Sequence, residues 1–263
     1  MKPTNVVFAA RQFLHQWAAE GCRALEALVF PWVCSICEGP GEDSPFCAPC
    51  RRALLDNALG RACPRCAMPL GPWENQAGGC AECRGRSLGF DAALALGPYD
   101  GTIRDLCLRL KRERNAWLAP WLAEVLIEAR AEIRQFPGDA WVVPVPLHWK
   151  RQWQRGYNQA DALAGGLAKR LSLRLVHPIR RVGATPPLAF AGRVERAHLM
   201  RKAFEIRRRG AAVKGLSGRT VLLVDDILTT GATCGAAARV LKRAGAARVV
   251  AVVIGRAEGK GSV

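Results

Sequence analysis

No stretch of this chain reaches the roughly twenty uninterrupted apolar residues that a helix needs to cross a bilayer. The longest candidate, residues 6–32, is broken by Arg11, His15, Glu20, Arg23 and Glu26. It also lacks the layout of a secretory leader, because Arg11 ends the apolar part after a few residues. Cys22 follows Glu20-Gly21, which does not resemble a lipoprotein cleavage site. These absences predict a cytoplasmic protein. Phe13, Trp17, Leu25 and Leu28 recur at helical spacing and predict an amphipathic helix over 1–30, packed on the rest of the protein. A helix lying on a membrane surface is the alternative. Acidic residues are scarce as well: 22 stand against 39 basic ones, a formal charge of +17. That balance favours polyanions such as nucleic acid or nucleotide phosphates, the alternative being an ordinary solvated basic surface.

Nothing in the chain suggests an oxidising compartment, so its eleven cysteines are not read as disulfides. Eight of them form four C-x-x-C pairs: Cys34/Cys37, Cys47/Cys50, Cys63/Cys66 and Cys80/Cys83. Two residues between thiolates allow a tight turn that aims both sulfurs at one ion, and two such knuckles complete a tetrahedral zinc site. The spacing fits two structural zinc ribbons in series over 31–88. Four knuckles can be paired in three ways, of which sequential pairing is the simplest. A redox C-x-x-C calls for one pair at a strand–helix junction, not four in Gly/Pro-rich sequence. All-cysteine ligation leaves no open coordination position, which argues against zinc catalysis there. Cys22, Cys107 and Cys234 lack ligand spacing and are expected to be free thiols.

From residue 89 onward, cysteine pairs stop and apolar runs alternate with helical patterns. Strands are predicted over 92–97, 141–145, 220–224 and 249–254, and helices over 101–111, 117–134, 159–171 and 233–244. Apolar strands separated by helices predict an α/β domain over 89–263, with a parallel sheet flanked by helices on both faces. Ligands of such sheets bind beyond the C-terminal ends of the strands. Two segments fall there. Asp225, Asp226, Thr229, Thr230, Gly231, Ala232 and Thr233 combine two carboxylates, three hydroxyls and a glycine before a helix, a composition suited to phosphate. The paired acids suit ribose hydroxyls or a magnesium ion carried by phosphates. The second segment, 147–156, offers Lys150, Arg151 and Arg155 to a diphosphate or a nucleic-acid backbone. Trp149 and Trp153 are interleaved with those charges and can stack on bases.

The stretch 221–233 resembles the phosphoribosyl-diphosphate (PRPP) loop of type I phosphoribosyltransferases. More narrowly, the chain resembles the ComF family, which joins a cysteine-rich zinc module to a phosphoribosyltransferase-like domain. The resemblance runs from about residue 25 to 256. It is carried by Phe30-Pro31-Trp32-Val33-Cys34, Leu110-Lys111, Val143-Pro144-Val145-Pro146-Leu147-His148, Arg155-Gly156-Tyr157-Asn158-Gln159-Ala160, Thr185-Pro186-Pro187 and Ala203-Phe204. It implies that Asp225 and Asp226 contact the ribose of PRPP directly or through magnesium. It also implies that residues 229–233 hold the 5′-phosphate and the loop after Pro146 the diphosphate. Leu188, Leu199 and Arg112-Glu113 depart from the family pattern on the side where an acceptor would enter.

Three functions follow as expectations. The first is a ComF-type role in DNA uptake, with single-stranded DNA as ligand and proteins of the uptake machinery as partners; Arg109, Lys111, Arg112 and Arg114 add to its basic surface. The second is an active phosphoribosyltransferase of unknown acceptor. The third is a scaffold that senses PRPP without turning it over.

Overall fold

The computed structural model describes residues 33–41, 43–58, 60–71, 79–182, 203–207 and 215–258. The helix expected over 1–30, Cys22, Leu188, Leu199 and the Thr185-Pro186-Pro187 stretch lie outside them. The chain divides at residues 52 and 53 into two compact units. In the first, an antiparallel bridge between Val33 and Pro40 closes a turn around the first cysteine pair. Helix α1 spans Ala48–Asp56.

The second unit is built on a five-stranded parallel sheet in the order β1-β7-β6-β2-β3. Its strands are β1 (Ala92–Pro98), β2 (Trp141–Pro144), β3 (Arg174–Leu175), β6 (Thr220–Leu228) and β7 (Arg248–Arg256). A separate antiparallel pair joins β4 (Ile179–Arg181) to β5 (Phe204–Ile206). Val221 to Val224 and Val249 to Ile254 are all buried, as expected of central strands covered on both faces. Helices α2 (Gly101–Leu110), α3 (Ala119–Ala129) and α5 (Gln159–Leu171) pack on one side, against β7, β1 and β2/β6 respectively. Helix α6 (Ala232–Arg243) covers the other side. Its buried alanines and leucine share one apolar cluster with Val221, Leu223, Ala251, Val253 and the cysteines Cys63, Cys66, Cys80 and Cys83.

Most predicted boundaries shift by a residue or two, and two elements change more. The helix expected over 117–134 is three pieces: a 3-10 turn at Glu113–Leu118, α3, and a second 3-10 turn at Ala131–Gln135. Pro120 stands at the start of α3, where its missing N–H costs nothing. Arg130 leaves helical angles (φ −127°, ψ 79°), and its buried Nε donates to the Ala95 carbonyl at 2.7 Å, capping the edge strand β1. Strand β6 does not end at residue 224. It continues to Leu228 because β7 runs on beside it, pairing Asp225 with Val253 and Leu228 with Arg256.

That extension makes a crevice. Strand β2 ends at Pro144, level with Val224, and Val145 N–H makes the last bond to the Val224 carbonyl at 2.8 Å. Beyond it, residues 225–228 are paired on the β7 side only. The chain leaves β2 toward β3 and leaves β6 toward β7, in opposite directions across the sheet. Sheets of this kind bind ligands where the strand order reverses in this way.

Candidate functional site

Asp225 and Asp226 sit at this crevice, and strand alternation sends their side chains to opposite faces. Asp225 faces α6, where the Cys234 thiol lies 3.8 Å from its Oδ2. Asp226 faces the α2/α5 side, and its carboxylate accepts from Gln159 Nε2 at 3.2 Å and pairs with Lys111 Nζ at 3.8 Å. The Asp226 N–H donates to Asp225 Oδ1 at 2.9 Å, tying the two together. Burial, and then the neighbouring Asp226, push the Asp225 carboxyl well above its ordinary range. Burial followed by the Asp225 and Asp226 charges pushes the Cys234 thiol up; burial and Asp226 do the same to Cys107. Both are buried free thiols, as their lack of ligand spacing suggested.

After Leu228 the chain turns through Thr229, which is exposed, and Thr230, which is partly buried. Gly231 follows at φ +77°, a left-handed angle that a side chain resists, and α6 begins at Ala232. The Ala232 N–H donates to Thr230 Oγ1 at 3.4 Å and the Gly235 N–H to the Gly231 carbonyl at 2.7 Å. No acidic residue occupies the first turn of this twelve-residue helix, so the positive end of its dipole is uncompensated there. Thr233, on that first turn, is partly exposed.

The second predicted segment leaves β2 at the same edge. His148 is buried, and residues 149–155, expected to lie in a loop, instead form a short helix, α4 (Trp149–Arg155). Lys150 and Arg151 fall on it, their side chains lying outside the described structure. Trp153 is 85% exposed. Arg155 NH1 donates to Gln159 Oε1 at 3.3 Å, so one chain of contacts runs Arg155–Gln159–Asp226–Lys111. Asn158 holds the bend, accepting from Ala160 N–H and donating to the Val145 carbonyl, both at 3.1 Å. Beside it the Tyr157 hydroxyl is buried with no partner among the described residues, and burial pushes its pKa up to about 12. A neutral, unpaired donor near Arg155 is one that a bound molecule can use.

Gln159 and Tyr157 carry no sequence signal beyond membership of the Arg155–Ala160 stretch, a mark of resemblance. Lys111 is legible only as one of the basic cluster 109–114 and of the Leu110-Lys111 stretch, not as a partner of Asp226.

The cysteines gather sequentially. Cys34, Cys37, Cys47 and Cys50 form one tetrad, and Cys63, Cys66, Cys80 and Cys83 the other, with the sulfurs of each within 4.8 Å of one another. Tetrahedral zinc with Zn–S bonds of about 2.3 Å places sulfurs about 3.8 Å apart. Cys37–Cys47 at 3.7 Å, Cys63–Cys83 at 3.6 Å and Cys66–Cys80 at 3.5 Å fit that ion. Burial raises the Cys34 thiol, but the N–H groups of Cys37, Cys47 and Ile36 outweigh it and bring it down to about 6. In the second tetrad burial is likewise outweighed at Cys63, by the N–H groups of Cys80, Arg65 and Cys66, and its thiol falls to about 7. Only one thiol in each tetrad is favoured as thiolate in this way, since burial pushes Cys50, Cys66 and Cys83 up. It is the gathering of four sulfurs that can hold a metal ion, consistent with zinc.

Residues 162–262 match the model of the phosphoribosyl transferase domain. Over 228 residues the chain is 30% identical to the DNA utilization protein YhgH of Salmonella typhi, spanning 84% of this chain and 96% of that one. It is 26% identical to competence protein F of Haemophilus influenzae over 228 residues, 85% of this chain and 90% of that one. A shorter match, 36% over 92 residues, links 35% of the chain to 49% of an adenine phosphoribosyltransferase from Rhodococcus jostii. Four paired cysteine knuckles, a parallel sheet with acids at its crevice, and likeness along most of its length place the chain in the ComF/YhgH family of competence and DNA utilization proteins, built on a phosphoribosyl transferase domain.

Proposed function

We propose that the protein binds PRPP with magnesium at the β6–α6 loop and handles single-stranded DNA on the adjoining basic surface, in a ComF-type role in DNA uptake. The observation that carries this is the meeting of two carboxylates, a hydroxyl-bearing loop and a helix N-terminus at the crevice between β2 and β6. Asp225 and Asp226 would take the ribose hydroxyls or the magnesium ion that accompanies the diphosphate. Amides and hydroxyls of residues 229–233 would surround the 5′-phosphate. Arg155, with Lys150 and Arg151 on the same short helix, would face the diphosphate or a DNA backbone. Trp153, which is exposed, would stack on a base.

A phosphoribosyltransferase reaction is the second reading, and the 36% likeness to an adenine phosphoribosyltransferase favours it. In that reaction the basic groups of residues 150–155, together with a magnesium ion held by the carboxylates, would steady the departing diphosphate while an acceptor nitrogen attacks the sugar carbon.

The test is anisotropy of a labelled single-stranded oligonucleotide across a salt series, with and without magnesium-PRPP. The expected result is binding whose log K falls by about 0.7 per phosphate neutralised for each tenfold rise in salt, and which PRPP displaces. Absence of binding at moderate salt would remove the DNA reading. Release of diphosphate from PRPP in the presence of candidate bases would then identify the transferase, and its absence a PRPP-sensing scaffold.

A further inference from the structure

The second tetrad is wired to the phosphate loop. Arg256, buried at the end of β7, donates from Nε to the Cys66 carbonyl at 2.7 Å. Its NH1 donates to the carbonyls of Leu228 at 3.0 Å and Thr229 at 2.7 Å, and also contacts the Ala257 carbonyl. Arg86, three residues past Cys83, donates from NH2 to the Thr230 carbonyl at 3.1 Å. Its own position is fixed by the Glu82 carbonyl at 2.8 Å and the Glu82 carboxylate at 3.8 Å. Arg65, inside the first knuckle of this tetrad, donates to the Cys83 carbonyl at 3.1 Å and the Arg86 carbonyl at 2.9 Å.

Consecutive carbonyls of residues 228, 229 and 230 are thus held by two arginines that bond to, or belong to, the cysteine module, the Leu228 carbonyl accepting from the Ala257 N–H at 2.9 Å as well. In a planar trans peptide the C=O and the following N–H point in opposite directions, and no cis bond is present among the described residues. Holding those three carbonyls therefore turns the N–H groups of Thr229, Thr230 and Gly231 away from the module, as an anion cradle requires. The segment after the module is also clamped to α6. A Cβ on Gly89 would collide with the Gly235 carbonyl oxygen, and one on Gly235 with the Leu88 carbonyl oxygen. Backbone meets backbone there at the first turn of the helix.

We propose that Arg86 and Arg256 are positioning residues through which the Cys63/Cys66/Cys80/Cys83 centre sets the phosphate loop, so that metal at this centre and a phosphorylated ligand at the loop bind cooperatively. This rests on the reading that the loop holds a phosphate. Coupling is reciprocal: if the loaded centre tightens ligand binding, the ligand tightens metal retention by the same factor.

The experiment uses the full-length zinc-loaded protein and two readouts. One is magnesium-PRPP affinity by calorimetry; the other is equilibrium zinc retention against a zinc-selective chelator, with and without PRPP. Wild type should retain one zinc equivalent about tenfold more strongly when PRPP is present. Arg86→Gln, on a partly exposed side chain, should bind PRPP about tenfold more weakly, keep its zinc content and lose the PRPP effect on retention. Arg256→Met should do the same where it folds. A role confined to folding would not move the PRPP dependence of zinc retention. Wild type that binds PRPP while retention ignores it, with Arg86→Gln binding as wild type, would overturn this proposal alone. Wild type that does not bind PRPP would overturn the ligand reading and this proposal with it.

Discussion

In the tetrad of Cys34, Cys37, Cys47 and Cys50 only Cys34 is buried and Cys37 is exposed, whereas Cys63, Cys66, Cys80 and Cys83 are all buried. Both tetrads use the same knuckle, and each is closed by a short antiparallel bridge, Val33–Pro40 in one and Ala62–Pro69 in the other. Their surroundings differ. In the unit of the first tetrad, the buried apolar side chains among the described residues, Cys34 aside, are those of Pro45 and Phe46. The second belongs to the apolar cluster of the central strands and α6. One motif thus serves as a local staple in one place and as part of a domain core in the other. Ligand spacing does not distinguish these roles; only long-range packing does.

The comparison breaks most sharply by removing ligands. Cys63→Ser with Cys66→Ser should lose one zinc equivalent and the cooperative thermal transition of the α/β unit, because structural zinc contributes about 10–16 kcal/mol to folding such modules. Cys34→Ser with Cys37→Ser should lose one equivalent and leave that transition within a few degrees of wild type. Metal analysis and calorimetric melting check both. Equal loss of the transition in the two variants would contradict the distinction.

Gly235→Ala comes next. The added methyl meets the Leu88 carbonyl oxygen, where backbone cannot easily give way. A destabilisation of about 1–3 kcal/mol is expected from overpacking, read as a lowered midpoint in urea. Gly165→Ala, in α5 with open space around it, serves as the control and should be neutral or slightly stabilising.

The smallest effect is a pH dependence. The folded-state pKa of Asp225 is raised, chiefly by burial, so folding favours its neutral form. Its ionised form therefore costs stability, and that cost builds as pH rises from the unfolded toward the folded pKa. Asp225→Asn should melt higher than wild type at pH 7, and the difference should vanish in acid, where both side chains are neutral. Magnesium-PRPP affinity of wild type should weaken on acidification at a pH above the ordinary carboxylate range.

Much of this molecule can be read along the chain. Cysteine spacing identified both tetrads, and apolar runs identified the central strands, because ligand geometry and two-sided burial both leave local marks. Asp225 and Asp226 stand out as paired acids ending such a run. What lies beyond local pattern was not legible. Strand β6 extends to Leu228 because β7 is beside it, and the helix near residue 130 breaks because Arg130 turns to a carbonyl on β1. Arg256 reaches Cys66 across 190 residues and Arg86 reaches Thr230 across 144. In a chain with 39 basic residues, nothing local separates those two arginines from the rest.

The most direct test of the central claim is calorimetric titration of magnesium-PRPP into wild type and into the Asp225→Asn, Asp226→Asn double variant. The account expects saturable binding at one site in wild type and none in the variant, whose melting midpoint is no lower. Wild-type affinity in the double variant, or no binding by the wild-type protein, would contradict it.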